Sequence, residues 1–127
     1  MKDSPLRILV VDDEDTIRLN LEAFLEDENC LVRSADNVAD ALKELASHPF
    51  DAGIIDIRLP DRDGNTLILE AHRMHPEMKF IIHTGSAGYT LPEPLAAIGI
   101  TSKQVFVKPV GDMNLLIEAI RGFGGRG

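Results

Sequence analysis

Five polar residues stand at the ends of short apolar runs. Asp12 and Asp13 follow ILVV at 8–11, Asp56 follows AGII at 52–55, Thr84 closes KFIIHT at 79–84, and Lys108 follows QVFV at 104–107. An uninterrupted apolar run that short, bounded by turn formers, reads as a strand buried on both faces. In open α/β sheets, ligands bind outside the carboxyl ends of the strands. A sheet built from these runs would therefore gather the five residues at one edge. Three carboxylates at close range raise one another's pKa unless a positive charge neutralises them. A hard divalent cation does this best, and carboxylate oxygens with retained waters suit Mg²⁺. Lys108 supplies a second positive charge, and Thr84 has a hydroxyl that can donate a hydrogen bond. A carboxylate in such surroundings can attack phosphorus, with metal and lysine stabilising charge on the transferring group. Asp56, at the centre of FDAGIIDIRLPDRDG at 50–64, is the predicted phosphate-accepting aspartate.

The elements that must hold these residues can be read in order. The strand at 8–11 ends at Asp12-Asp13, and a helix starts near Glu14 with Ile17, Leu21, Phe24 and Leu25 at helical spacing. Glu14 and Asp15 make an acidic first turn that suits the positive end of the helix dipole. Asp27-Glu28-Asn29 closes that helix, and CLVRSA at 30–35 is more polar, as an edge strand would be. Asp36 or Asn37 caps a second helix with Val38, Ala41, Leu42 and Leu45 inward. A third helix runs from about Asn65, burying Leu67, Ile68, Ala71 and Met74, and stops before Pro76. Segment 85–102 holds three glycines and two prolines, so only 94–98 is predicted as a short helix. After the strand at 104–107, a last helix starts at Asp112 with Met113, Leu116, Ile120 and Phe123 inward. Strands alternating with helices predict a parallel α/β sheet with right-handed crossovers. One domain over 1–123 and a glycine-rich tail or linker at 124–127 are expected.

Composition narrows the function. The 127 residues carry 13 Lys and Arg against 21 Asp and Glu, a net charge of −8 that argues against direct binding to nucleic acid or anionic membranes. A single cysteine, Cys30, excludes an internal disulfide and fits a reducing cytoplasm; it reads as a packing residue. The first residues, MKDSP, are too polar for a signal peptide, and no apolar run nears the roughly 18 residues of a spanning helix.

VVDDE at 10–14, DIRLPDRDG at 56–64, HTGSA at 83–87 and VKP at 107–109 together resemble the receiver domain of two-component response regulators, over about 6–123. The resemblance implies a doubly wound, five-stranded parallel α/β sheet of order 2-1-3-4-5, the flavodoxin-like receiver fold. It implies that Asp56 takes a phosphoryl group from the phosphohistidine of a sensor histidine kinase or histidine phosphotransfer protein. Asp12 and Asp13 match the family's metal-binding acids, with Asp56 and the Arg58 backbone carbonyl completing a Mg²⁺ site. Thr84 and Lys108 match its phosphoryl-contacting residues, and the bond from Lys108 to Pro109 is expected to be cis. An output domain or effector protein would read the signal. Two features depart from the family. Val105 stands where a switch aromatic is common, with Phe106 on the opposite side of the sheet, and segment 85–102 replaces a regular fourth helix.

Other motifs carry less. Asp61, Asp63, Gly64 and Glu70 fit part of a calcium loop, but position one would be Leu59 and the flanking helices are missing. GFGGRG at 122–127 spells a dinucleotide fingerprint in the wrong context, after a helix. His72 and His75 read as a solvated helix face rather than metal ligands. The alternatives to a phosphorylated receiver are a phosphorylation-independent interaction module and a phosphatase working through an aspartyl phosphate. The intact acid, lysine and threonine set argues against the first, and the lack of room for a substrate cap against the second. A self-phosphorylating regulator, not a turnover enzyme, is expected.

Overall fold

The computed structural model describes residues 5–108 and 110–123. Its strands are β1 (Arg7–Val11), β2 (Leu31–Ala35), β3 (Ala52–Ile55), β4 (Lys79–Thr84) and β5 (Val105–Val107). Its helices are α1 (Asp15–Asp27), α2 (Val38–Ser47), α3 (Gly64–Met74), α4 (Glu93–Ala97) and α5 (Asn114–Phe123). The strands form one parallel sheet in the order β2-β1-β3-β4-β5.

The unbroken apolar runs are explained by two cores, one on each face of the sheet. Ile8, Val10, Ala52, Ile54 and Ile81 pack with Leu21 and Leu25 of α1 and with Leu116, Ile117 and Ile120 of α5. Their strand neighbours Leu9, Val11, Ile55, Phe80 and Ile82 pack on the other face, with Val38, Ala41 and Leu45 of α2, Leu67, Ile68 and Ala71 of α3, and Leu95 of α4. Successive side chains point to opposite faces, so a strand covered on both sides must be apolar at every position. Each fully buried Leu or Ile contributes about 2 kcal/mol. Val105 packs into the α2–α4 core and Phe106 into the α1–α5 core, which is the opposite-sided placement expected of them. β2 lies at an edge with alternating burial, and its exposed Arg33 pairs with Glu44 of α2.

Local chemistry sets the ends of the elements. Asn37 caps α2 by accepting the Asp40 N–H, and Asp63 caps α3 by accepting the Asn65 N–H. Asn29 follows α1 at φ 66°, a left-handed conformation that asparagine tolerates better than most residues. Gly99 follows α4 at φ 101°, where a side chain would be strained.

Several boundaries differ from the sequence reading. Cys30 precedes β2, and Gln104 belongs to a 3₁₀ turn (Ser102–Gln104) before β5. The short helix begins at Glu93 and ends at Ala97 because Pro92 caps it and Gly99 turns the chain away. α5 begins at Asn114, and Asp112 accepts the Asn114 N–H at 2.9 Å just ahead of it. Met74, expected inward, is exposed, as the last residue of α3, where the helix ends. His75 is not on a solvated face. Its Nε2 lies 2.7 Å from the Leu45 carbonyl and its ring meets Phe50 edge-on, tying the end of α3 to α2. The Lys108–Pro109 bond, the Phe123 side chain and the tail at 124–127 lie outside the described residues.

Candidate functional site

Backbone rungs at the carboxyl edge of the sheet fix the five residues. The Asp56 N–H donates to the Val11 carbonyl at 2.9 Å and the Asp12 N–H to Ala35 at 3.1 Å, so both acids stand one residue beyond the strands. The Lys108 N–H donates to the Thr84 carbonyl at 2.7 Å and extends the β4–β5 ladder by one rung. Asp12, Asp56 and Thr84 are buried, while Asp13 is exposed. Carboxylate oxygens of Asp12, Asp13 and Asp56 lie within 4.8 Å of one another. The sequence-predicted set therefore comes together.

Lys108 neutralises the cluster. Its Nζ is 2.9 Å from Asp12 Oδ2, 3.0 Å from Glu14 Oε1 and 3.2 Å from Asp56 Oδ2, and its side chain is only 8% exposed. The contact with Asp12 is an ion pair by distance, but no hydrogen bond reaches Asp12 Oδ2. Burial pushes the Asp56 carboxyl up, the Asp12 charge adds to this, and Lys108 opposes both without cancelling them. For Lys108 itself, burial pulls the ammonium down. The contacts with Asp12 and Glu14 outweigh that and raise it.

These donors fit a hard divalent cation. Three clustered carboxylates, one with a buried oxygen that accepts no hydrogen bond, are the oxygen-rich set such an ion takes. Arg58 sits two residues past Asp56 and its N–H points to Asp56 Oδ1 at 3.4 Å. A bridge pairs Arg58 with Asp63, and the Gly64 N–H donates to the Ile57 carbonyl at 2.8 Å. This loop folds back so tightly that a Cβ on Gly64 would lie 2.1 Å from the Asp56 carbonyl oxygen. Only glycine fits there.

The Thr84 Oγ1 accepts the Ser86 N–H at 3.1 Å, which leaves its own hydroxyl hydrogen free to donate. Further along the same loop, the Tyr89 hydroxyl donates to Asn65 Oδ1 at 2.7 Å, linking it to the first turn of α3. Burial, and then the nearby Asp63 charge, push the Tyr89 phenol up to about 12.

Three contributors escaped the sequence. Glu14 was legible as a first-turn acid but not as a partner of Lys108, which is 94 residues away. Asp61 accepts the N–H groups of Val38 and Ala39 at 2.8 and 2.9 Å, capping α2 from the loop after β3. These bonds hold the Asp61 carboxyl below the usual range. No local pattern signals so distant a cap. His83 is 5% exposed with neither ring nitrogen hydrogen-bonded to protein, and it lines a groove of about 430 Å³ between α1 and α5. Burial, assisted by Lys108, pulls its pKa down to about 4.

Comparison with known proteins agrees with this geometry. Residues 8–121 match the family described as the response regulator receiver domain. The chain is 34% identical over 114 residues to the response regulator protein PilR of Pseudomonas aeruginosa, covering 90% of this chain and 25% of that protein. It thus spans about a quarter of that relative's length. A CheY-like receiver domain protein from Methanospirillum hungatei superposes with a TM-score of 0.79 at 31% identity, covering 94% of each chain. The response regulator TrrA from Thermotoga maritima, in complex with Mg²⁺ and BeF, gives 0.77 at 29% identity, over 93% of this chain and 98% of that one.

Proposed function

The chain belongs to the response regulator receiver family, and on that footing we propose that Asp56 is its phosphoacceptor. The observation that carries this reading is the convergence of Asp12, Asp13 and Asp56 oxygens within 4.8 Å, with Lys108 Nζ 3.2 Å from Asp56 Oδ2.

An Asp56 carboxylate oxygen attacks phosphorus of the donor phosphohistidine. The phosphorus–nitrogen bond breaks, its electron pair leaves on the imidazole, and the imidazole keeps a proton. Lys108, already ionised and aimed at Asp56, meets the charge on the transferring oxygens. Thr84 rotates its hydroxyl from Ser86 towards the phosphoryl group and becomes a donor. Burial of Asp56 keeps bulk water from competing. Bound to Asp12, Asp13, Asp56 and the Arg58 carbonyl, Mg²⁺ would neutralise the acids and screen the incoming phosphoryl charge. Attack of water on phosphorus later restores the carboxylate and releases inorganic phosphate. The domain turns over its own phosphoryl group and processes no free substrate as an enzyme would.

The donor is a sensor histidine kinase or a histidine phosphotransfer protein, and an output domain or effector reads the result. The setting is cytoplasmic, without direct contact to nucleic acid or membrane. The net charge of −8 disfavours nucleic acid and anionic membranes, and no helix among the described residues is long and apolar enough to cross a membrane. The test is to incubate the protein with acetyl phosphate and Mg²⁺ and map the modified residue by mass spectrometry. A phosphoryl group on Asp56 is expected, absent without metal and absent in Asp56→Asn. Unchanged labelling of Asp56→Asn would mean another acceptor, and no labelling under any donor would favour a phosphorylation-independent interaction module.

A further inference from the structure

Lys108 has three carboxylate partners, and one of them has no place in the chemistry just described. Asp12 and Asp56 are buried members of the acid cluster. Glu14 is different: its side chain is 59% exposed, yet it reaches from the residue before α1 to Lys108 Nζ at 3.0 Å. Its backbone is fixed there, because the Glu14 N–H donates to Asp12 Oδ1 at 2.9 Å. The Glu14 carboxylate therefore stands at the solvent side of Lys108, where the groove lined by Gly85, His83 and Lys108 meets the cluster.

The charges decide what this does. With a divalent cation at the site, three aspartates are balanced by that cation and by Lys108, and Glu14 is the acid left over. Arg18, the nearest other cation on α1, is committed to the Asp12 carbonyl, Asp15 and Glu22. We propose that Glu14 is a specificity-determining residue of the phosphoacceptor site: it draws Lys108 towards the rim and sets a negative charge at the mouth, which selects against strongly anionic free phosphodonors. This rests on the phosphoacceptor reading of Asp56. Acetyl phosphate, which gives up acetate when its phosphorus–oxygen bond breaks, approaches with more negative charge than a phosphorus–nitrogen donor whose nitrogen carries a proton. Phosphohistidine is of the second kind and is favoured.

The test compares the wild type with Glu14→Gln, which keeps the shape and removes the charge. Rates of phosphoryl incorporation are measured with acetyl phosphate and with phosphoramidate, each with Mg²⁺ and at two ionic strengths. Removing one unit charge from the mouth of the site should speed the acetyl phosphate reaction roughly three- to tenfold at low salt. The gain should be smaller with phosphoramidate, and should shrink as salt screens it. In metal-free protein, the Lys108 Nζ and ε-methylene NMR resonances should also move in the variant. Equal rate ratios for the two donors, a slower variant, or unmoved Lys108 resonances would each overturn the role of Glu14 while leaving Asp56 as acceptor. Failure of the wild type to take a phosphoryl group from either donor would overturn the acceptor reading, and this inference with it.

Discussion

The two sides of the site are built to different standards. On the side of β1 and β3, every backbone turn that carries an acid is tied more than once. Asp12 accepts the Glu14 N–H, Asp61 binds two N–H groups of α2, Asp63 caps α3, and Gly64 closes the loop on Ile57. On the side of β4 and β5, β5 has three residues and α4 has five. The loop after β4 makes two side-chain hydrogen bonds: Ser86 N–H to Thr84, and Tyr89 O–H to Asn65. Each is worth about 1 kcal/mol net. The contrast fits a division of labour under the proposed function. Phosphoryl chemistry needs acids held to a fraction of an ångström, whereas a signal needs an element with two arrangements close in energy.

The comparison breaks most visibly if the tied side tolerates distortion. Gly64→Ala should therefore have the largest effect on the fold. The added methyl would meet the Asp56 carbonyl oxygen at 2.1 Å, and backbone cannot yield as a flexible side chain would. A loss of about 3 kcal/mol, read from urea unfolding, is expected, together with loss of phosphorylation. A variant as stable as the wild type would show that this loop is not rigid.

His83 lies on the boundary between the two sides, and pH tests its setting. Its folded pKa is pulled down to about 4 from the usual 6.5, so the fold prefers the neutral ring. Between those values the unfolded chain binds the extra proton, and stability must rise with pH through this window. The full contribution is present above pH 6.5 and is lost as pH falls towards 4, by about 3 kcal/mol. His83→Leu, which needs no hydrogen bond, should be no less stable at pH 7.5 and should show a flatter profile between pH 6.5 and 4. An unchanged slope would locate the acid sensitivity in another group.

The sequence carried the residues at the strand ends on both sides and none of the bridges between distant segments, for a physical reason. Strands buried on both faces leave an unbroken apolar run, and the residue after each run falls at the sheet edge. Asp12, Asp56, Thr84 and Lys108 were therefore placed correctly from local pattern alone. Side chains that bridge distant segments leave no such trace. Asp61 looked like a turn residue and proved to cap α2 from 23 residues away. His75 looked solvated until the α2 carbonyl beside it was known. Met74 followed helical spacing but is exposed in the last turn of α3. The position of Val105, by contrast, needed only strand alternation, and Val105 and Phe106 face opposite cores as that rule requires.

The smallest effect falls on the mobile side and sharpens the comparison most. Val105 has no ring to swing behind Thr84, and Tyr89 is the aromatic on the loop that follows β4. Tyr89 packs partly against the α2–α4 core and is anchored by one hydrogen bond to Asn65. On the proposed reading, a Thr84 that turns towards a phosphoryl group would release the Ser86 N–H, leaving the Tyr89 hydroxyl as the side-chain tie from the stretch 85–89 to α3. Tyr89→Phe removes that tie and keeps the ring. Stability should fall by about 1 kcal/mol, and the rate of phosphorylation should stay within about twofold, since Tyr89 touches none of the acids. Amide shifts at 85–89 should move in the unphosphorylated variant towards those of the beryllofluoride-bound wild type, as a population shift requires. Asn65→Ala should reproduce them, and the double variant should add nothing further, because the two residues share one bond. Silent amides at 85–89 in both variants, with the metal ligands alone responding to beryllofluoride, would make the loop an irregularity and place the switch elsewhere.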